Sequence, residues 1–314
     1  MSNTFELNAD TVHQTWDNSL TPRVTIDAGD TVVFHTRDAA NGHYDQDSTA
    51  EDVVNRGPFK GHPLTGPVYV RDAAPGDVLA IEILEMDFAS SFGWTAMRKG
   101  RGLLPEEELP GAYLQIWDLS DGTHARMRQR DDIAVPVAPF PGIMGNALAE
   151  DGEHSTMPPR ATGGNMDNKH LTVGSTLYLP VQVEGAMFST GDAHAAQGDG
   201  ECCVTAVETW SKLTLKFELL SQKNYQEPRL RTCGPLCVST NTAPYFATTA
   251  QGPDLWSNSQ QAIRYMIDHL MTERGLSWEE SYIICSVAVD LKISEVVDAP
   301  NWMVSAFLPE SIFI

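Results

Sequence analysis

Alternating apolar and polar residues predict β-strands through the first two-thirds of the chain. The alternation is clearest at two places, where the apolar positions are Leu177, Leu179, Val181 and Val183, and then Leu213, Leu215, Phe217 and Leu219. Thr214, Lys216 and Glu218 stand between the members of the second set. Because residues two apart in a strand project to the same face, each segment is expected to bury one face and expose the other.

A turn followed by a strand recurs three times, as AGDTVVF from Ala28, PGDVLAI from Pro75 and VGSTLYL from Val173. In each phrase the glycine suits a tight turn, and the Asp or Ser can bond the turn backbone. Apolar residues then alternate as in a half-buried strand. Segments rich in Pro and Gly, such as PVAPFPG at residues 136–142, separate the predicted strands. These features predict a β-sandwich or barrel.

The last third of the chain changes to a helical period. Its first helix is predicted from one apolar face, and Gly275 ends it; the face comprises Ile263, Met266, Ile267, Leu270 and Met271. A second helix begins with a capping box at Ser277–Glu280, and its core positions are Ile283, Ile284, Val287, Ala288 and Leu291. We therefore predict a predominantly β fold with a smaller α+β C-terminal portion. A β-rich catalytic region covers residues 1–225, and an α+β region with two helices covers residues 226–314.

Composition narrows the classes of function. The chain has 314 residues, 42% of them apolar and 20% charged, as in a globular protein. Its 42 acidic and 21 basic residues give a net charge of −21, which argues against nucleic acid and anionic lipid as partners. Neither a signal-like start nor an apolar run of the ~20 residues that span a bilayer is present, so a cytoplasmic location is expected. Neither GxGxxG nor GxxxxGK[ST] follows a predicted strand, which argues against nucleotide binding.

Five cysteines lack the paired CxxC spacing of a structural zinc site: Cys202, Cys203, Cys233, Cys237 and Cys285. An odd number in a chain with no secretory start indicates reduced thiols, mostly buried. Cys202 and Cys203 follow an acidic segment closely enough for one of them to reach a site there. Adjacent strand residues point to opposite faces, so at most one thiol could do so.

The acidic segment, GDAHAAQGDGE at residues 191–201, is the densest polar cluster. In extended backbone Asp192 pairs with His194 on one side, and Asp199 pairs with Glu201. Carboxylates and an imidazole suit a divalent cation such as Zn²⁺, and carboxylates can also bind Ca²⁺ or Mg²⁺. A solvated acidic surface loop is the alternative interpretation.

Two other carboxylates are candidates. Asp167 follows a flexible turn in GGNMD, where it is either a ligand or a turn cap. Asp38 follows the predicted strand TVVFHT, at the point where that strand ends. His62 lies beside a proline-fixed turn in HPLTGP, and a structural role is favoured there over a catalytic one.

Several segments, in this order along nearly the whole chain, resemble the acetamidase/formamidase family. They are HPLTGPVYV with PGDVL, GGNMDNKHLTVGSTLYLPV, GDAHAAQGDGE, and SVAVDLKISEVVD with LPESIF. The resemblance implies a β-rich fold with an α/β C-terminal portion, a homo-oligomer, and metal-dependent hydrolysis of short aliphatic amides. The acidic signature positions of the family match Asp38, Asp167, Asp192, His194, Asp199 and Glu201.

These observations predict hydrolysis of a carboxamide of the formamide or acetamide class by water that a divalent metal activates, zinc foremost with calcium possible. Glu201 is the predicted proton shuttle, with Asp167 as a second catalytic candidate. Asp192 and His194 are the predicted metal ligands, and Asp38 and Asp199 complete the predicted ligand set. The sequence leaves open whether Asp38, Asp167 and Asp199 each complete the set of metal ligands or bridge the site. A non-enzymatic binding protein with a structural cation and a thiol amidase using Cys202 or Cys203 are the alternatives.

Overall fold

The computed structural model describes residues 2–107, 111–236 and 243–314. The strands of the first half are β1 (Thr4–Leu7), β2 (Thr15–Trp16), β3 (Val24–Ile26), β4 (Thr31–Thr36), β5 (Leu64–Val70), β6 (Val78–Phe88), β7 (Phe92–Arg98), β8 (Ala112–Asp118), β9 (His124–Met127), β10 (Ala134–Pro136) and β11 (Phe140–Gly145). The later strands are β12 (His154–Ser155), β13 (Gly163–Asn165), β14 (Thr176–Pro180), β15 (Phe188–His194), β16 (Glu208–Thr209), β17 (Ser211–Leu220), β18 (Arg229–Arg231), β19 (Tyr245–Gly252), β20 (Asp290–Glu295) and β21 (Trp302–Pro309). The helices are α1 (Ala50–Asn55), α2 (Leu255–Arg274) and α3 (Trp278–Val287), and a 3₁₀ turn spans Glu310–Ile312.

The three recurring phrases form β4, β6 and β14, which belong to one six-stranded sheet of order β1-β4-β17-β6-β14-β18. Gly29 and Gly76 have φ of +95° and +96° in the turns before β4 and β6. Asp30 accepts the backbone N–H of Asp27, and Asp77 accepts that of Ala74, so each carboxylate closes its turn. The predicted pattern of a glycine turn followed by a strand is confirmed at all three places.

A second sheet has the order β10-β9-β8-β7-β16-β15-β11-β13, with β5 paired to β15 and β3 paired to β5. Its inner face packs against the six-stranded sheet. The ring of Phe188 on β15 lies 5.9 Å from that of Phe34 on β4 and 5.1 Å from that of Phe217 on β17. The interior between the sheets is apolar, which is the physical basis of a sandwich. The predicted fold class is therefore confirmed.

The two predicted helices are α2 and α3. Gly275 ends α2 in the left-handed conformation, and Ser277 and Glu280 exchange both hydrogen bonds of a capping box at the start of α3. Two residues that the sequence predicts on the core faces of these helices do not lie there. Met271 is 40% exposed, and Leu291 lies in β20 instead of α3.

The helices share a hydrophobic core with the second sheet. Ile263 and Ile284 belong to the same buried cluster as Trp117 and Cys203. A third sheet, β19-β21-β20, packs on α2, and β18, which lies beyond residue 225, pairs with β14 in the first sheet. The C-terminal region thus supports the β-rich region directly. Within the described ranges, none of the helices is long and apolar enough to cross a membrane.

Candidate active site

Strand β15 carries the first two site residues. All seven of its residues are buried, because β11, β16 and β5 pair with it. Asp192 and His194 project to the same side, and in β16 the residue directly opposite His194 is Glu208. Asp192, His194 and Glu208 offer ligand atoms that lie within 4.8 Å of one another. The predicted pairing of Asp192 with His194 therefore gains a third member from the neighbouring strand.

The three side chains leave polar atoms without partners. His194 Nε2 lies 3.5 Å from Asp192 Oδ2 and 3.3 Å from Glu208 Oε1. Asp192 Oδ1, Glu208 Oε2 and His194 Nε2 are buried and make no hydrogen bond. Two ligands of a tetrahedral zinc ion at ~2.1 Å lie about 3.4 Å apart, so these separations suit a shared cation. An unpartnered buried polar atom is costly, which also favours an occupant.

Gln197 fixes which nitrogen of His194 is free. Its Nε2 donates to the main-chain oxygen of Asp167 at 2.8 Å, and a carbonyl oxygen can only accept. Gln197 Oε1 must therefore face His194 Nδ1, which lies 2.9 Å away and donates its proton there. In neutral His194 the lone pair is then on Nε2, the nitrogen that faces Asp192 and Glu208.

The cluster of Asp192, His194 and Glu208 has two carboxyl groups but only one imidazole. Burial raises the pKa of Glu208 to about 8. Burial alone would lower the pKa of His194, but the charges of Glu208 and Asp192 outweigh it and hold that pKa well above its ordinary value. Burial acts to raise the pKa of Asp192, but the charge of His194 lowers it, so the cluster favours a positive charge among its carboxylates, and a divalent cation is such a charge.

Asp167 and Glu201 form a second group with His194, in which the ligand atoms also lie within 4.8 Å of one another. Asp167 follows β13 and is held by its backbone N–H, which donates to Gly142 O at 3.2 Å. Burial raises the pKa of Asp167 to about 7, and burial with the charge of Asp167 raises that of Glu201 well above its usual range. Because Gln197 already accepts the Nδ1 proton, this group is better suited to hold protons than a second cation.

The backbone conformation of the site is strained. Asp167, Asp192 and Glu201 have φ of +45°, +58° and +43°, which non-glycine residues rarely adopt. Each such residue costs of order 1–3 kcal/mol, and such residues cluster where function requires a fixed geometry. Three carboxylates of one site sharing this feature indicate that the fold holds them in place for chemistry.

Gly142 of β11 leaves the space that these groups occupy. A Cβ atom there would lie 2.7 Å from Asp167 Oδ1 and 2.8 Å from His194 Cε1. Any larger residue would therefore displace a site side chain.

The structure does not bring Asp38 into the cluster. Its Oδ1 accepts the backbone N–H groups of Ala40 and Gly42 at 2.8 and 3.2 Å, and its Oδ2 accepts Trp210 Nε1 at 2.7 Å. Both oxygens thus have partners: Oδ1 caps the turn after β4, and Oδ2 joins that turn to Trp210. The signal that suggested a ligand, a carboxylate at a strand end, is equally the signal of a turn cap.

Asp199 also lies outside the cluster. Its Oδ2 lies 3.4 Å from Lys292 Nζ and 3.7 Å from Lys169 Nζ, and its backbone N–H donates to Asp290. The expected pairing of Asp199 with Glu201 assumed extended backbone. The chain instead turns at residues 198–204, so Glu201 points inward and Asp199 points to the lysines.

Sequence reasoning missed Glu208. The residues next to Glu208 in the sequence form no polar cluster, because Glu208 reaches His194 only through strand pairing. A carboxylate inside the apolar strand sequence AVETW was the available signal. The sequence favours a structural role for His62, and its backbone N–H donates to Thr156 Oγ1 at 2.8 Å. His62 also lines the cavity beside the site.

The described cysteines do not support a thiol mechanism. Cys202 and Cys203 are buried in the core shared with α3, and Cys203 Sγ contacts main-chain oxygens of Ala96 and Thr205. Burial raises the pKa of the Cys203 thiol to about 11 and that of Cys202 further. A thiol held neutral is a poor nucleophile. Cys285 is also buried and Cys233 is exposed, while Cys237 lies outside the described residues.

A cavity of about 340 Å³ opens onto the site. Asp167, Asp192, Glu201 and Glu208 belong to its lining, together with apolar and aromatic residues and with four other polar residues, Arg56, His62, Asn165 and Thr205. Convergent polar groups in a mostly apolar cavity are typical of a small-molecule site. The arrangement can accommodate a small molecule beside the carboxyl pair and beside three side chains suited to a cation.

Comparison with known proteins decides the family. The sequence model of the "Acetamidase/Formamidase family" matches residues 1–151 and 146–314, which together cover the whole chain. The chain belongs to the acetamidase/formamidase family. It is therefore an amidase, a hydrolase of amide C–N bonds, and the enzyme predicted from the sequence is confirmed.

Individual relatives are similar to this chain over most of their own length. A formamidase of Methylophilus methylotrophus is 26% identical over 96% of this chain and 89% of its own. An acetamidase of Mycolicibacterium smegmatis is 29% identical over 75% of this chain and 72% of its own. The solved structure of a gamma lactamase from Delftia acidovorans is 25% identical, with a TM-score of 0.89 over 99% of this chain and 93% of that chain. The fold and the family are thus shared along the whole described chain.

Proposed function

We propose that the protein hydrolyses a carboxamide to a carboxylate and ammonia, with a water molecule activated by a divalent cation that Asp192, His194 and Glu208 bind. The observation that carries this proposal is the set of unpartnered buried atoms on these three side chains. A bound cation would lower the pKa of water toward ~7 and polarise the amide carbonyl.

Zinc fits this donor set better than calcium. One imidazole nitrogen and two carboxylates are ligands that zinc commonly takes, whereas calcium prefers six to eight oxygen ligands. Ligand separations of 3.3 and 3.5 Å also agree with a small tetrahedral ion. Asp38 and Asp199 have no place in this proposal, because the oxygens of Asp38 already accept turn amides and the Trp210 indole, and those of Asp199 face lysines.

Asp167 and Glu201 would handle the protons. With raised pKa values, the pair holds a proton at neutral pH and still offers a basic oxygen. One carboxyl group takes a proton from the attacking water as the C–O bond forms, and the pair returns a proton to the nitrogen as the C–N bond breaks. Glu201 is the proposed shuttle, and Asp167 its partner.

Formamide and acetamide are the first substrates to test, since formamidases and acetamidases are among the relatives. We expect the purified enzyme to release ammonia from at least one carboxamide. Glu208→Gln should abolish this release, and Glu218→Gln should preserve it, because Glu218 is an exposed residue of β17. Equal turnover by the two variants would exclude Glu208 from the site. An absence of turnover with every carboxamide tried, zinc supplied, would refute the proposed function.

A further inference from the structure

The cavity beside the site has an exposed apolar wall. Phe59, Met157, Val204 and Trp256 all line it, and their exposed fractions are 38%, 37%, 39% and 57%. These four residues, here called the apolar wall, come from the loop after α1, the loop after β12, the turn after β15 and the first turn of α2. Scattered single apolar residues are ordinary on a surface, but several converging on one cavity indicate a binding surface.

Contacts within the protein hold parts of the wall in place. The Phe59 ring has the Arg56 guanidinium 5.9 Å from its centroid and the His62 ring 4.8 Å away, edge to face. Val204 has a φ of +83°, an uncommon conformation for a β-branched residue, and its N–H donates to Glu201 O at 2.9 Å. Phe59 and Val204 are therefore held in place before any ligand binds, which lowers the cost of binding to this part of the wall.

The volume of the cavity exceeds the needs of the smallest amides. A water molecule has a share of ~30 Å³ in the liquid, so acetamide, with four non-hydrogen atoms, needs at most about 120 Å³. The cavity holds about 340 Å³. The four residues of the apolar wall carry no charge, and Arg56, the cationic residue of the same lining, lies over the Phe59 ring.

We infer that the preferred substrate is a carboxamide whose acyl group is an uncharged apolar chain or ring larger than acetyl, about the size of phenylacetyl, packed against the apolar wall. The inference rests on the proposed function, since it places the amide group at Asp167 and Glu201. Trp256 is the specificity-determining residue that contributes most, because it is the largest and most exposed member of the wall.

The test is the ratio of kcat/KM for phenylacetamide to kcat/KM for acetamide, measured by ammonia release with zinc supplied. A single methylene in an apolar pocket changes discrimination by roughly 10- to 200-fold, so we expect a wild-type ratio of at least about ten. Trp256→Ala should lower this ratio at least about tenfold, and Met157→Ala should lower it in the same direction. Tyr265→Ala is the matched control, since Tyr265 is an exposed aromatic residue of α2 outside the cavity lining, and its ratio should equal that of the wild type.

Two results would overturn the inference. If acetamide is hydrolysed with the higher kcat/KM, the proposed function stands and the inferred substrate class is wrong. A ratio that neither Trp256→Ala nor Met157→Ala changes would show that the apolar wall does not select the substrate. If zinc-supplied wild-type enzyme hydrolyses neither amide nor any shorter or longer homologue, the proposed function itself fails, and the inference fails with it.

Discussion

Glu208 and Glu201 have different roles in the proposed site, although both are carboxylates near His194. Glu208 has its Oε1 3.3 Å from His194 Nε2, the nitrogen that Gln197 leaves free, and its Oε2 is buried without a partner. Glu201 groups with Asp167, whose Oδ1 lies 4.0 Å from His194 Nδ1, the nitrogen that Gln197 already bonds. This division assigns cation binding to one side of the imidazole and proton transfer to the other.

Glu201→Gln should keep the cation and lose catalysis. The substitution preserves size and hydrogen bonding but removes proton transfer, so we expect kcat to fall ~10²-fold or more with the cation content unchanged. Ammonia release and elemental analysis on the same sample measure both quantities. Full activity, or loss of the cation, would show that Glu201 is not the proton shuttle.

Asp199→Asn should leave the cation content unchanged and kcat within about threefold of the wild type, because residues outside the reacting group have small effects. Its carboxylate faces Lys169 and Lys292 instead of the cluster. The same two measurements apply. A large loss of cation would restore Asp199 to the ligand set and contradict the geometry described above.

Strand pairing brings the site residues together at the scale of the elements. Strand β15 supplies Asp192 and His194, β16 supplies Glu208 opposite them, and β11 supplies the space at Gly142. The turn at residues 198–204, which carries Glu201, is held by α3. Gly198 N–H donates to Ser286 O, and Ser286 Oγ accepts the N–H of Cys203. The C-terminal region thus positions a residue of the β-rich region.

Gly142→Ala should reduce both cation content and activity at least about tenfold. The added methyl group would displace Asp167 or His194, whose atoms would lie under 3 Å from it. Gly234→Ala is the matched control, because a Cβ there meets no atom within 4 Å. Normal activity of Gly142→Ala would mean that β11 approaches the site less closely than described.

Thiol modification should separate the cysteines by burial. Methyl methanethiosulfonate should label Cys233 in the native protein and leave Cys202, Cys203 and Cys285 unmodified, because the last three are buried. Amidase activity should persist after this labelling, as mass spectrometry and ammonia release together will show. Labelling of Cys202 or Cys203 in step with loss of activity would revive the thiol mechanism.

Local signals explain what the sequence could and could not predict. The strands after the glycine turns at Gly29 and Gly76, and the helix ends at Gly275 and Ser277, depend on neighbours in the chain and were predicted. Glu208 depends on a strand register that pairs distant segments, and it was missed. Asp38 and Asp199 looked like ligands because a carboxylate at a strand end or in a glycine turn has the same local signature whether it binds a cation, caps a turn or faces lysines.

Self-association is a property of the whole molecule and stays a proposal, motivated by the family resemblance. Exposed apolar residues are present on the C-terminal sheet, where Ile293 is 62% exposed. We expect light scattering to give at least twice the chain mass of 34.4 kDa at working concentration. An active species of one chain mass would count decisively against a homo-oligomer.

We propose that amide hydrolysis by this enzyme requires a divalent cation at Asp192, His194 and Glu208. The most direct measurement is ammonia release by enzyme stripped with a chelator and then titrated with zinc, with bound metal counted on the same samples. We expect negligible activity without metal, and activity that rises in proportion to bound zinc and saturates at one ion per chain. Full activity in a sample holding well below one metal ion per chain would contradict it.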